Sequence, residues 1–439
     1  MLSQDFRSSL PQLVKSISVA TKLISPAIGR HHDQAAYIAF RLAEHLGYSE
    51  DEIIKITLAA FLHDIGAVSL GENLDQLRFE KDYVHVHAEL GAQFLGAFTP
   101  FRSLAPIIKH HHRRWNHGEG ACIMDEPVPP ESHLIHLADR AAVLINNQTN
   151  ILIHKKNLRE RISRQKGTLF RPEHVAAFMD ISAKDYFWLD CASNGVDEVL
   201  QGLFKWETIL VGAEALIDFS RFLSRLVDFR SPLNANHSSG VAASSAALAR
   251  LAGFNPEECT MMLMGGYLHD IGKLVVPVGI LEKDDVLDKN ERSIIKAHAY
   301  YTHHILAVIP EFRQINQWAS HHHERLDGKG YPFGLKEKEI SPGAQLMAVA
   351  DIYTALNEDR PYRKAMSRQQ STSVLNQMVK ERALNREYVE LLEQNFDEID
   401  CFRCEAQRIS NQEYHIINPL FAKKYQRGVK TPDLCSPDA

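Results

Sequence analysis

The chain repeats itself at fixed spacing, and this constrains its fold more than any local pattern does. "FLHDIGA" at residues 61–67 returns as "YLHDIGK" at residues 267–273. Upstream, Gly47 precedes His63 by the interval that separates Gly253 from His269, and His31 precedes His63 as His237 precedes His269. Downstream, "HHHRRWN" (110–116) matches "HHHERLD" (321–327), and "LADRAAVLIN" (137–146) matches "VADIYTALNE" (349–358) at its aspartate. Landmarks that keep one order in both halves mark a duplicated unit.

Each unit reads as helical. "DQAAYIAFRLAEHLG" (33–47) places Ala36, Phe40 and Ala43 on one stripe and stops at Gly47, a residue suited to the left-handed C-cap. Ser49 and Glu52 then form an S-x-x-E capping box before the apolar run 53–62. In the second half Asn255, Pro256 and Glu258 supply the cap, the first helical residue and the third. The expectation is an all-α chain of two tandem helical-bundle domains, 1–205 and 206–400, joined by a helical connector around 196–229. A C-terminal tail, 401–439, carries no signal of its own.

Composition narrows the function. A net charge of -6 argues against binding duplex nucleic acid, which calls for a basic face, but leaves room for a small anionic ligand. Six cysteines scattered through 439 residues do not make a disulfide scaffold. Residues 1–29 are interrupted by Lys15 and Lys22 and make a poor signal peptide, and the apolar stretch 207–219 is too short to span a bilayer. A soluble cytoplasmic protein with no membrane partner is expected, and homodimerisation is left open. The CxxC spacing of Cys401 and Cys404 lacks a second pair and reads as coincidence.

A single helical histidine is more often a core or surface residue than a ligand, but the constellation argues otherwise. His237, His269, Asp270, His298, His322, His323 and Asp351 offer imidazoles and carboxylates in the mixture that suits Fe, Mn or Zn. These donors exceed the three or four taken by one catalytic ion, so two divalent ions are expected. Asp270 can bridge them, because a carboxylate has two oxygens, while His269 points about 100° further round the helix. His322 and His323 divide by the same geometry. Two ions suit attack on a phosphodiester, since they activate water and clamp the attacking and leaving oxygens. Lys273 shares a helical face with Asp270. It is either a solvated lysine at a helix end or an ammonium for a non-bridging phosphate oxygen, and its position favours the second.

"HDIGK", "HHERLDGKGYP" (322–332) and "ADIYTALNEDRPYR" (350–363) closely resemble the HD-GYP family, a branch of the HD superfamily of metal-dependent phosphohydrolases. The resemblance covers roughly residues 230–370, while residues 25–145 resemble a plain HD domain without the GYP signature. It implies two HD-type bundles and hydrolysis of cyclic di-GMP or 3',3'-cyclic GMP-AMP to linear pNpN or mononucleotides. It makes the seven residues above metal ligands, with iron or manganese as the ions. Asp270 and Lys273 become catalytic residues, and Lys273, Arg360 and Arg363 phosphate contacts. The loop Gly330-Tyr331-Pro332 lies beside the site, and Tyr331 is a candidate substrate contact. Family members with three metals are similar in carrying a glutamate four residues before the first histidine; here that residue is Leu233, which implies two ions. The competing reading is a degenerate receptor without turnover, against which the intact ligand set and Lys273 argue.

The first half keeps His31, His63, Asp64, His87, His111, His112 and Asp139 as a second candidate metal site. Ala67 stands in the lysine's place, and "RRWNHGEG" replaces the GYP loop. A regulatory or structural role is therefore weighed ahead of a second phosphohydrolase.

Overall fold

The computed structural model describes residues 6–70, 84–146, 149–193, 195–203, 210–230, 236–283, 285–359 and 363–425. The protein is all-α. Among the described residues the strands are two short antiparallel pairs, Ser8–Ser9 with Leu210–Val211 and Cys122–Ile123 with Glu126–Pro127.

The repeat is visible in the backbone. Gly47 and Gly253 both take positive φ, 77° and 81°, and behind them Tyr48 N donates to Ala43 O and Phe254 N to Ala249 O. A side chain there would strain the turn that reverses the chain. Each turn leads into a helix of the same length, Glu50–Leu62 or Pro256–Leu268. Both helices begin on the expected reciprocal caps, Ser49 with Glu52 and Asn255 with Glu258, and both stop at the His-Asp pair.

The glycine after each His-Asp-Ile has a packing cause. A Cβ on Gly66 would lie 2.1 Å from His87 O, and one on Gly272 would lie 1.9 Å from His298 O. The helices Val84–Ala97 and His298–Leu306 thus rest directly on these turns and carry His87 and His298 to Asp64 and Asp270. In the second half Thr302 fastens the contact: its Oγ1 accepts from Gly272 N and donates to His269 O, each at 3.0 Å.

The core does not divide at residue 205. The connector helix Ala213–Asp228 buries Phe219 and Phe222 against Phe98 and Phe101 of the first half, with ring centroids 5.6–6.1 Å apart across the contact. Leu13, Val14 and Ile17 of the N-terminal helix Leu10–Ile24 belong to one apolar cluster with Leu268, Ile271, Leu274 and Ile305 of the second half. A further cluster, including Val241, Leu248, Val349, Tyr353 and Ile399, lies within the second half. A continuous helix, Phe396–Tyr425, runs across residue 400. Its buried residues Ile399, Arg403 and Gln407 recur at the four-residue spacing of one helical face, so the start of the supposed tail is part of the second bundle. No helix among the described residues is long and apolar enough to cross a membrane.

We predict that Gly272→Ala destabilises the full chain by about 3 kcal/mol, because the backbone carbonyl it meets cannot move aside. Gly279→Ala is the control, since nothing lies within 4 Å of its Cβ position. Equal thermal-unfolding midpoints for the two variants would refute this account of the motif.

Candidate metal centres

In the second half the donor residues come from separate elements. His237 and His298 open the helices His237–Leu251 and His298–Leu306, and His269 and Asp270 close Pro256–Leu268. His322 and His323 sit in the turn after Arg313–Ser320, and Asp351 lies within Pro342–Leu356. Asp270 is at the centre: its Oδ2 is 3.2 Å from His269 Nε2 and its Oδ1 is 3.2 Å from His298 Nε2. Asp351 Oδ1 is 3.1 Å from His237 Nε2 and 3.8 Å from His269 Nε2. Donor atoms of His237, His269 and Asp270 lie within 4.8 Å of one another, as do those of His298, His322 and His323. The structure brings the seven residues together as two groups, with one Asp270 oxygen facing each.

The hydrogen bonds behind the imidazoles fit this arrangement to cations. Nδ1 of His269, His298 and His322 lies 2.7, 2.6 and 2.6 Å from the carbonyl oxygens of Gly266, Ile295 and Ala319, each three residues back. With Nδ1–H donating outward, Nε2 keeps its lone pair for the site. His298 Nε2 and His322 Nε2 then face each other at 3.4 Å, and His269 Nε2 is buried without a hydrogen-bond partner among the described residues. Facing lone pairs in a dry pocket call for a positive charge between them. Burial lowers His298 to a pKa of about 4 and, with neighbouring imidazoles, His323 to about 3. Burial alone would raise Asp270 and Asp351, but the surrounding imidazoles, with Lys273 beside Asp270 and His237 bonded to Asp351, hold both well below the usual carboxylate range. Neutral imidazole and ionised carboxylate are the forms that bind metal. His237 differs: burial lowers its pKa, but Glu358 and Asp351 prevail and raise it to about 9.

The first half reproduces this geometry. Asp64 Oδ2 is 3.2 Å from His63 Nε2, Asp64 Oδ1 is 3.2 Å from His87 Nε2, and Asp139 Oδ1 is 3.1 Å from His31 Nε2 and 3.8 Å from His63 Nε2. His111 and His112 both join the group of Asp64 and His87, and His87 Nε2 meets His112 Nε2 at 3.0 Å. The surroundings differ. Lys273 Nζ lies 2.6 Å from Asp270 Oδ2, whereas the first half has Ala67 at the matched position and His32 Nε2 at 3.6 Å from Asp64 Oδ2. Arg140 also pairs with Asp139 at 2.8 Å, where the second half has Ile352 beside Asp351.

Around the second centre, Tyr331 stacks at 4.7 Å on His323 and donates its N–H to His323 O. Lys296 lies 5.2 Å from the Tyr331 ring centroid. Sequence reasoning missed Glu324, a buried residue that braces this loop: its carboxylate accepts from the amides of Phe333, Gly334 and Leu335 at 2.7, 3.2 and 2.9 Å. Its place beside two metal-type histidines was the available signal. Also missed was Glu358, which accepts from His237 Nδ1 at 2.8 Å; a carboxylate two helical turns after Asp351 hinted at it. Arg363 donates to Ala355 O. Arg360 and Leu233 lie outside the described residues. Cys401 and Cys404 are exposed and belong to none of the donor groups found among the described residues.

Two helical bundles, each closing on a His/Asp cluster of this kind, define a tandem HD-domain protein, and residues 28–144 and 221–386 each match an HD-domain family model. The chain thus carries two HD domains in tandem. The 3'3'-cGAMP-specific phosphodiesterase 1 of Vibrio cholerae is 27% identical over 361 residues, which cover 80% of this chain and 83% of that relative. The 3'3'-cGAMP-specific phosphodiesterase 3 of the same organism is 38% identical over 50% of this chain and 48% of its own length. A cyclic di-GMP phosphodiesterase of Thermotoga maritima is 35% identical over 34% of this chain and 41% of its own. The crystal structure of the V. cholerae cyclic GMP-AMP specific phosphodiesterase V-cGAP3 shares the fold, with a TM-score of 0.61 and 21% identity over 89% of this chain and 98% of that one.

Glu324→Ala should leave three loop amides without their charged acceptor, at a cost on the order of 3 kcal/mol. Trypsin should then cut at the exposed Lys329 or Lys336 faster than in the wild type. An unchanged cleavage rate would mean that the loop does not depend on this brace.

Proposed function

We propose that the second domain hydrolyses the 3',5'-phosphodiester bond of a cyclic dinucleotide, cyclic di-GMP or 3',3'-cyclic GMP-AMP, to linear pNpN. Asp270 carries the reading: its two oxygens serve two donor groups, and the Lys273 ammonium lies on the same carboxylate. Relatives named for these substrates support it. We assign two divalent ions to the centre, iron or manganese by the mixture of imidazole and carboxylate. When bound, such ions lower the pKa of the attacking water and neutralise charge on the phosphate.

The chain's own residues do the rest. His237, His269 and Asp351 would hold one ion and His298, His322 and His323 the other, with Asp270 available to both. Lys273 has three N–H donors, one of them directed at Asp270 Oδ2. The others are suited to a non-bridging phosphate oxygen that gains charge as the bond breaks. Arg360 and Arg363 are assigned to the remaining phosphate oxygens, where a forked guanidinium fits. Tyr331, stacked on His323, closes the side of the site next to the GYP loop. The first domain gathers ions through the same donor geometry but lacks the lysine, so we assign it a regulatory or structural role. Free cysteines at the surface favour a reducing cytoplasm.

Lys273→Ala should lower single-turnover opening of cyclic di-GMP and 3',3'-cyclic GMP-AMP by on the order of 10²- to 10³-fold. Asp64→Ala should lower metal content while sparing most ring opening. Equal loss in the two variants would overturn the assignment of chemistry to the second domain. Elemental analysis of the full-length Asp64→Ala protein should give about two ions per chain, and Asp270→Ala should lose metal and turnover together; three tightly held ions in Asp64→Ala would refute a two-ion second centre.

A further inference from the structure

His237 is held differently from His269, His298 and His322. His269, His298 and His322 each turn Nδ1 to a carbonyl one helical turn back. His237 is the first residue of its helix, and its Nδ1 meets the Glu358 carboxylate at 2.8 Å instead. Glu358 is itself buried and is held from the far side, where Gln407 Nε2 donates to its Oε2 at 3.0 Å. The Gln407 amide can present only that end, because its Oε1 accepts from Arg403 Nη1 at 2.6 Å. Arg403 is fixed in turn by Asp400 Oδ1, at 2.9 Å from Nε and 2.7 Å from Nη2, and Tyr353 OH donates to the same oxygen at 2.9 Å.

Asp400, Arg403 and Gln407 lie on the helix Phe396–Tyr425, beyond the residues that match the HD-domain family. The helix His237–Leu251 is shaped to admit the last of them: a Cβ on Gly240 would lie 2.6 Å from Gln407 Nε2. In the first half Asn146 occupies the position matched to Glu358, and His31 sits inside its helix Pro26–His45. The same C-terminal helix is docked on the connector, where Tyr414 packs 4.8 Å from Phe229 and Glu413 pairs with Arg225.

We propose that Gln407 and Glu358 are positioning residues for the second metal centre: the C-terminal helix, through Gln407, orients the carboxylate that aims His237 at its ion. The inference rests on reading that centre as a metal site. An imidazole whose outer nitrogen is held by an ionised carboxylate is fixed in orientation and more basic toward the cation, and loss of such a partner typically costs about 10- to 100-fold in metal affinity.

Full-length protein should be titrated with Mn²⁺ against a fluorescent chelator, comparing wild type with Gln407→Met, Gln407→Glu and Asp270→Ala. Gln407→Met keeps the volume and removes the donor. Gln407→Glu keeps the Arg403 partner and sets a carboxylate against Glu358. Both should weaken one ion of the second centre by about 10- to 100-fold and leave the other ions at wild-type affinity. Excess Mn²⁺ should restore turnover. Glu358→Gln, which keeps an acceptor for Nδ1–H but loses the charge, should fall between wild type and Glu358→Ala. Wild-type Mn²⁺ affinity in both Gln407 variants, with Asp270→Ala weakened, would overturn the proposal while leaving the metal site intact. Wild-type affinity in Asp270→Ala as well would overturn both readings.

Discussion

His298 and His322 present Nε2 to Nε2 at 3.4 Å, with both outer nitrogens turned to backbone carbonyls. That contact is unfavourable without a cation between the rings, and the carboxylates of Asp270 and Asp351 are buried beside it. The second bundle is built to keep these groups close. Its helices end or begin at the ligands, a glycine lets one helix rest on the turn of another, and Thr302 ties the two backbones together. Rigidity here is part of the chemistry, because donors that cannot move apart leave the site matched to ions rather than to water.

The duplication repeats the donor geometry and varies what surrounds it. Both halves bring a His/Asp cluster to one point with the same distances between matched atoms, so the donor geometry follows from the bundle itself. What differs lies around it: Lys273 against Ala67, Ile352 against Arg140, and the Glu324-braced loop against the turn Asn116–Ala121. Removing the ammonium withdraws the group that would meet a phosphate oxygen. Arg140 meanwhile engages Asp139 in the first centre alone.

The halves are not independent bodies joined by a tether. The connector's Phe219 and Phe222 fill the first core, and the N-terminal helix shares a cluster with Ile271 and Leu274, on either side of Gly272 and Lys273. Substitutions in one half are therefore to be read in the full-length chain, where the apolar surface of each remains covered.

The sequence by itself determined the repeat, the caps and the His-Asp pairs on which the repeated helices end. Each depends on short, fixed intervals: Ser49 to Glu52, Asn255 to Glu258, and helices of one length that end on His-Asp. Local geometry converts such intervals directly into structure, and for that reason the three-residue spacing alone sets Asp270 and Lys273 side by side. Only the tertiary structure decided the contacts between distant residues. Glu358 reaches His237 from 121 positions away and Gln407 reaches Glu358 from 49, and neither pairing has a spacing rule. The shared core and the continuation of the last helix past residue 400 escaped for the same reason. A buried face shows that a helix must pack, but which surface covers it depends on the whole chain.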